Sequence, residues 1–171
     1  NYPVHIKLDT GMHRLGFVED DIDLLGRAIH LDSSLHIASI FSHLSCADIP
    51  TEDEFTREQI RSFEYMSSQL IEWLDYKPLR HIANSAAIVR FREAHYDMCR
   101  LGLGLYGFGF EHNEELIPVA TLSTRIVQIK QLRKGESVGY GRSARLERDT
   151  IIATIPVGYA DGLDRHLGNG C

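Results

Sequence analysis

The chain has 171 residues, of which 43% are hydrophobic and 25% are charged, as is typical of a globular protein with one or two domains. Its formal net charge of -6 argues against a broad basic surface for nucleic acid or an anionic membrane. No apolar run approaches the roughly 20 residues of a membrane-spanning helix, and the N-terminus lacks the pattern of a secretory signal. The sequence therefore predicts a soluble cytoplasmic protein with neither a nucleic-acid nor a membrane partner.

The stretch 4–17, VHIKLDTGMHRLGF, predicts a short strand that leads into a loop rich in charged residues and glycine. Loops held on a rigid scaffold can converge on a ligand, so this loop is a candidate border of a binding site. The alternative from the residues alone is a solvated turn after an edge strand.

Two amphipathic helices and two further strands follow in alternation. Apolar residues at three- and four-residue spacings predict helices over 19–31 and 52–76. Mostly apolar runs predict strands over 35–43 and 79–84. This order is typical of consecutive β/α units in a parallel sheet.

Polar residues gather where the predicted strands end. We expect Ser85 to cap a short apolar helix and 96–101 to form a fourth strand before the glycine-rich run LGLGLYGFG. Four β/α units are about half of an eight-stranded barrel, which typically takes about 250 residues and carries its site at the carboxyl ends of the strands. The residues expected at those ends are Lys7, His43, Ser85 and Arg100.

A second, mostly β domain is expected to begin after residue 112. β-branched residues become frequent, and a turn is predicted over 133–136. The polar segment 110–116 is the expected link, so we predict domains over 1–112 and 113–171. The strand-like runs are 118–132, 137–140 and 150–157.

Five blocks of the sequence, in this order, resemble alanine racemase. They are VHIKLDTGMHRLGF, HIANSAA, MCRLGLGLYG, SVGYGR and PVGYADG. The resemblance implies the second half of a (β/α)8 TIM-type barrel of the pyridoxal-phosphate (PLP) fold type III, followed by the start of a mostly β C-terminal domain. It also implies a bacterial homodimer that interconverts L-alanine and D-alanine for peptidoglycan. Because the rest of the barrel and of the β domain would lie outside this sequence, the fragment alone is expected to be inactive.

Racemisation removes the α-proton of an amino acid, and this requires an electron sink and a proton carrier on each face of the carbanion. In the family the pyridoxal ring is the sink, and one base is the lysine that binds it, which lies upstream of this sequence. The resemblance assigns the second base to Tyr140, which would act in the site of the partner subunit. From spacing alone, Tyr140 would be a packing residue with its hydroxyl at the surface.

Further residues are matched to the cofactor by the resemblance. Arg100, which could otherwise be a surface ion-pair residue, would face the pyridine nitrogen and keep it unprotonated. His43, otherwise a core histidine, would lie beside Arg100 and the cofactor. Ser85 and the backbone amides of Gly102 and Leu103 would bind the phosphate, in line with the general preference of anions for free N–H groups.

The resemblance extends to the first loop. Arg14 would contact the phenolic oxygen of the cofactor and the substrate carboxylate. Lys7 would repel Arg14 unless it were carbamylated, as the matching lysine is in some family members. Asn84 would adjoin the phosphate site, and His13 stands where the family commonly has glycine.

Three other functions compete with an alanine racemase. The first is a racemase of broader or different substrate range, such as serine. The second is a non-catalytic PLP-binding barrel, against which Tyr140 argues because a carrier needs no second base. The third is a metal-dependent hydrolase, but the nine histidines show no HExxH pair, so we predict no metal site.

Overall fold

The computed structural model of the protein describes residues 2–32, 34–109 and 116–167. The chain divides into two compact units, Asn1–Val119 and Ala120–Cys171. The link predicted over 110–116 falls almost entirely outside the described residues, so the division into 1–112 and 113–171 stays a prediction. Within the described ranges, no helix is both long and apolar enough to cross a membrane.

The first unit is a parallel sheet whose strands alternate with helices, as predicted. Its three strands lie in the order β1-β2-β3, and both neighbouring pairs are parallel. Short 3-10 turns at Glu19–Asp21 and Pro50–Glu52 lead into the first two helices. The elements are β1 (Tyr2–Lys7), α1 (Ile22–Leu31), β2 (Leu35–Phe41), α2 (Asp53–Ile71), β3 (Leu79–His81) and α3 (Ser85–Arg90).

The predicted fourth strand over 96–101 is wrong. The segment lies beside β3, where Asp97 N donates to Arg80 O at 3.1 Å and Arg100 N donates to Ala83 O at 3.0 Å. A regular ladder does not form because the Asp97 carboxylate itself accepts the amide hydrogen of Arg80, at 2.8 Å. Tyr96 also bends the chain with a left-handed φ of 46°. The segment still delivers Arg100 to the end of β3.

Helices α1 and α2 cover one face of the sheet with an apolar core. Ile6 and Ile40 point from the strands into this core, where the side chain of Phe63 on α2 is fully buried. Because strand residues alternate between faces, their sequence neighbours lie on the opposite face. The residues of that second face are His5, Lys7, Ser39, Phe41 and His81.

A register shift in β1 and β2 aligns this polar face. Val4 pairs with Ile37, but the next residue, His5, pairs with Ser39, so that Ala38 is an extra residue in β2. A shift of one residue exchanges the faces of a strand. The shift therefore places Ser39 beside His5 while Ile37 still packs in the core.

The second unit is mostly β, as predicted, although its strands are shorter than the predicted runs. β4 (Gln128–Leu132) pairs with β7 (Thr150–Thr154), and β5 (Ser137–Val138) pairs with β6 (Ala144–Arg145), both antiparallel. The predicted turn over 133–136 is closed by a hydrogen bond from Glu136 N to Arg133 O at 3.2 Å.

Packing of α1 against the segment after α2 depends on Gly26. A Cβ atom at this position would overlap the indole ring of Trp73. Gly26→Ala should therefore lower the free energy of unfolding by about 1–3 kcal/mol, although alanine is the better helix former. Urea denaturation of the full-length protein measures this, with the exposed neighbour Arg27→Ala as the control.

The same substitution in a Trp73→Leu background provides the matched test. Once the indole is absent, Gly26→Ala should be neutral or stabilising by up to about 1 kcal/mol, because helix propensity then dominates. Equal destabilisation in both backgrounds would show that the indole contact is not the cause.

Candidate active site

Polar side chains meet at the carboxyl ends of the three parallel strands. Lys7 is the last residue of β1, His43 follows β2 by two residues, and Ser85 opens α3 just after β3. A cavity of about 370 Å³ lies at the ends of β2 and β3, whereas Lys7 lines a separate pocket with Leu15. The cavity is lined by His43, Asp48, Asn84, Ser85, Ala86, Arg100, Leu101, Gly102 and Leu103. The structure therefore brings together all the predicted cofactor-binding residues except Arg14.

Arg100 is the charged centre of this cavity. One terminal nitrogen donates to Nδ1 of His81 and to His81 O at 3.2 Å. The other donates to Ser42 O at 2.6 Å and lies 3.2 Å from Ile82 O and 3.3 Å from His43 Nδ1. A planar guanidinium offers a rigid fork of donors, so these contacts fix both its position and its plane.

Burial and, after it, the positive charge of Arg100 keep the nearby histidines neutral. Burial, followed by Arg100 and His5, lowers the pKa of His81 to about 4. Burial, followed by Arg100, Arg14 and Lys7, also lowers the pKa of His43. Both imidazoles are therefore neutral near pH 7 and can accept hydrogen bonds from the guanidinium.

The segment after β3 supplies the cap of α3 and a hydroxyl that binds backbone amides. Asn84, not Ser85, caps α3, because its side-chain oxygen accepts from Ala87 N at 3.1 Å. The expected Ser85 cap is thus wrong, since Ser85 is already the first helical residue. Its hydroxyl instead accepts from Gly102 N at 2.8 Å and from Gly104 N at 3.2 Å.

Asn84 also ties this segment to the loop after β2. Its Nδ2 atom donates to Leu44 O at 3.2 Å. Asn84 therefore links the start of α3 to the loop after β2.

Lys7 is partly buried near one aspartate and two arginines. Its Nζ atom donates to Leu15 O at 2.7 Å. Burial lowers the pKa of Lys7, Arg14 and Arg100 lower it further, and Asp9 opposes them. Arg14 itself has an exposed side chain and does not line the cavity, but it is close enough to lower the pKa of both Lys7 and His43.

The loop that carries Arg14 is held by Asp9. One carboxylate oxygen accepts from Gly11 N and His13 N, both at 3.0 Å. His13 adopts a left-handed φ of 53°, a region that glycine reaches more easily. Its side chain is 79% exposed and Nδ1 lies 3.5 Å from the other Asp9 oxygen, so the imidazole points outward.

Gln59 on α2 holds the loop that carries His43 by hydrogen bonds. Gln59 is almost completely buried, and its oxygen accepts from Ser45 N and Ser45 Oγ, both at 3.1 Å. Its amide nitrogen donates to His43 O at 3.3 Å. Gln59, a residue of the amphipathic helix α2, thus holds the loop of the candidate site in place.

Tyr140 belongs to the second unit. It begins the 3-10 turn Tyr140–Arg142, and its side chain is 93% exposed.

Sequence reasoning missed three residues of this arrangement: Ser42, Gln59 and His81. His81 is the first residue of the block HIANSAA, and its place in that block could have identified it as a site residue. Gln59 lies within a predicted amphipathic helix, where a polar side chain is expected to face solvent. Only the contacts with Arg100 and Ser45 identify these residues.

Among the described residues, no cluster of three or more His, Cys, Asp or Glu side chains could hold a metal ion.

Comparisons with known proteins agree on one family. The family models described as "Alanine racemase, N-terminal domain" and "Alanine racemase, C-terminal domain" match residues 1–109 and 119–171. Alanine racemase 1 of Clostridium acetobutylicum is 42% identical over 96% of this chain, which covers 44% of that relative.

Two solved structures are similar to the chain. Alanine racemase of Streptomyces coelicolor has a TM-score of 0.83 at 32% identity, over 96% of this chain and 45% of that one. Alanine racemase of Bartonella henselae, whose structure contains covalently bound pyridoxal phosphate, has a TM-score of 0.76 at 28% identity, over 96% and 45% of the two chains. The chain thus spans less than half the length of these relatives.

The buried amide of Gln59 generates a stability prediction. Gln59→Leu keeps the volume of the side chain but leaves Ser45 and His43 without their partners. We expect the free energy of unfolding to fall by about 1–3 kcal/mol, because a buried group without a hydrogen bond carries its full desolvation cost. Denaturation of the full-length protein measures this loss.

Gln69→Leu is the matched control for Gln59→Leu. Gln69 lies on the same helix, and its amide bonds the exposed Tyr65 hydroxyl at 3.0 Å. This substitution should change stability by less than about 0.5 kcal/mol. Similar losses at both positions would contradict a specific role for Gln59.

Proposed function

Because the chain belongs to the alanine racemase family, we propose that it is part of a PLP-dependent enzyme that interconverts L-alanine and D-alanine. One observation supports this most strongly. A single cavity at the strand ends is lined by the Arg100 guanidinium, the neutral His43 and the Ser85 hydroxyl. This set of donors suits a planar heterocycle that carries a phosphate.

The residues present fit the cofactor by their chemistry. The Ser85 hydroxyl and the Leu103 amide would bind the phosphate, as hydroxyl and backbone N–H donors do in other anion sites. The predicted third donor, the Gly102 amide, donates to Ser85 Oγ at 2.8 Å and would bind the phosphate by exchanging that contact. Asn84 would support them through its contacts with α3 and Leu44. The lysine that holds the cofactor covalently would lie outside this sequence.

Arg100 would face the pyridine nitrogen. Within the described residues its terminal nitrogens are engaged by carbonyl oxygens and imidazoles, which fixes the plane of the guanidinium. A permanent positive charge at this point prevents protonation of the ring nitrogen. When bound, the cofactor supplies an electron sink for the negative charge left by removal of the α-proton. Arg100 would moderate that sink and so disfavour side reactions.

Two proton carriers would complete the reaction. One would be the missing lysine, and the other would be Tyr140, which would act in the partner's site of a homodimer. The position of Tyr140 in the block SVGYGR supports this assignment. Arg14 would contact the phenolic oxygen of the cofactor and help to hold the substrate carboxylate, and His43 would lie beside Arg100 and the cofactor.

The three β/α units would belong to the second half of a (β/α)8 barrel, and the β unit would begin the C-terminal domain. Three adjacent parallel strands cannot close a barrel, and the chain covers 44% of a related racemase. Production of D-alanine for peptidoglycan would place the enzyme in the bacterial cytoplasm.

Tyr140→Phe tests the proton carrier. In the full-length protein, kcat/KM for racemisation should fall by about 10²–10⁴-fold in both directions, because the overall equilibrium cannot change. Exchange of the α-hydrogen with deuterated water should survive for the enantiomer that the remaining lysine serves. Circular dichroism measures racemisation, and proton NMR measures exchange.

Tyr65→Phe is the control for Tyr140→Phe, since Tyr65 is an exposed tyrosine on α2. It should leave racemisation unchanged. Full activity of Tyr140→Phe, or loss of exchange for both enantiomers alike, would refute the role of Tyr140 as one of two bases.

Lys7 is proposed to be carbamylated. Its lowered pKa increases the fraction of neutral amine, which is the form that reacts with carbon dioxide; the reaction releases a proton to solvent, and the anionic carbamate would give Arg14 a partner. Full-length protein equilibrated with ¹³C-labelled carbon dioxide should show a carbamate signal in ¹³C NMR. Lys7→Arg should abolish the signal and exposed Lys77→Arg should not; a signal that survives Lys7→Arg would contradict the site.

A further inference from the structure

A chain of hydrogen bonds runs from Arg100 across the polar face of the sheet. The guanidinium donates to His81 Nδ1, and Nε2 of the same ring lies 3.0 Å from Ser39 Oγ. Ser39 Oγ in turn lies 2.7 Å from His5 Nδ1. These four residues connect β1, β2 and β3 to the segment 96–101, which carries Arg100.

The positions of the protons along this chain follow from the first donor. A guanidinium can only donate, so His81 Nδ1 must be unprotonated. A neutral imidazole carries one proton, which therefore lies on Nε2 and is donated to Ser39 Oγ. Within residues 2–32, 34–109 and 116–167, the two imidazoles are the partners of Ser39 Oγ, so its own proton points to His5 Nδ1.

The opposite order would break the contact with Arg100. If Ser39 donated to His81 Nε2, the single ring proton would have to move to Nδ1 and would then face the guanidinium N–H. Two donors would oppose each other at a buried position, since His81 is 6% exposed and Ser39 is 1% exposed. The order of protons and the position of Arg100 are therefore linked.

The packing around His81 preserves this arrangement. Its ring stacks on Phe41 with centroids 5.1 Å apart and an interplanar angle of 11°, so the imidazole cannot turn freely. The same Phe41 ring lies 5.6 Å from Arg100 Cζ. The extra residue Ala38 in β2 aligns Ser39 with His5, so the chain depends on the register of the strands.

We propose that Ser39 and His5 are positioning residues for Arg100: their hydrogen bonds hold the proton of His81 on Nε2 and keep Nδ1 as an acceptor for the guanidinium. Both residues act through His81 and need not touch the cofactor or the substrate. Their effect on catalysis rests on the proposed racemase function, whereas the order of protons does not.

Neutron diffraction from crystals of the full-length protein tests the order directly. It should show deuterium on His81 Nε2, none on His81 Nδ1, and the Ser39 hydroxyl deuterium directed to His5. Deuterium on His81 Nδ1, or a Ser39 hydroxyl directed to His81, would overturn the proposal whether or not the protein is a racemase.

Variants of His5 test the effect on catalysis. His5→Leu removes the acceptor for Ser39, and kcat for alanine racemisation should fall by about 2- to 10-fold with little change in KM, the effect of losing one hydrogen bond. His5→Asn places an amide oxygen near the position of Nδ1 and should restore most of kcat. The absorbance spectrum of the bound cofactor should shift in His5→Leu and not in His5→Asn, because the altered contact is with Arg100.

Ser39→Ala and a second histidine complete the experiment. Ser39→Ala should match His5→Leu, and the double variant should be no worse than either single variant, because both break the same chain. His36→Leu, on the same strand as Ser39 and stacked on Tyr76, is the control and should leave kcat unchanged. In an active racemase, equal kcat and spectra for His5→Leu and His5→Asn, or additive losses in the double variant, would overturn the positioning role and leave the proposed function intact.

Discussion

The hydrogen bonds of the Arg100 guanidinium are the interaction on which the rest of the site depends. A partly buried charge is tolerated only when its donors find acceptors, and here the carbonyls of Ser42, His81 and Ile82 supply them. Those carbonyls lie at or just beyond the ends of β2 and β3. Arg100 therefore joins the ends of β2 and β3 through hydrogen bonds at the wall of the cavity.

The same charge sets the chemistry of its neighbours. Burial is the largest cause of the lowered pKa of His43, His81 and Lys7, and Arg100 lowers each of these pKa values further. Neutral imidazoles can then serve as acceptors for the guanidinium. A site built around a permanent cation is thus selective for an electron-rich or anionic ligand, as the proposed PLP-dependent function requires.

Most of the fold of the first unit was predictable from local patterns, and much of its site was not. Helices α1 and α2 and strands β1 to β3 can be predicted from hydrophobic periodicity. The segment 96–101 has strand-like composition, but the Asp97 carboxylate takes the amide hydrogen that a ladder would use. Asn84 and Ser85 are both good capping residues, and the tertiary contact of Ser85 with Gly102 and Gly104 leaves the cap to Asn84.

The sequence by itself determined the family, the alternation of strands and helices, and the residues that meet at the strand ends, because these depend on motifs and on short-range periodicity. Only the tertiary structure decided which atoms contact Arg100, that Gln59 supports the His43 loop, and that Ser39 lies between His5 and His81. The reason is physical. Hydrogen-bond partners separated by dozens of residues are set by strand register, and one extra residue at Ala38 changes which side chains share a face.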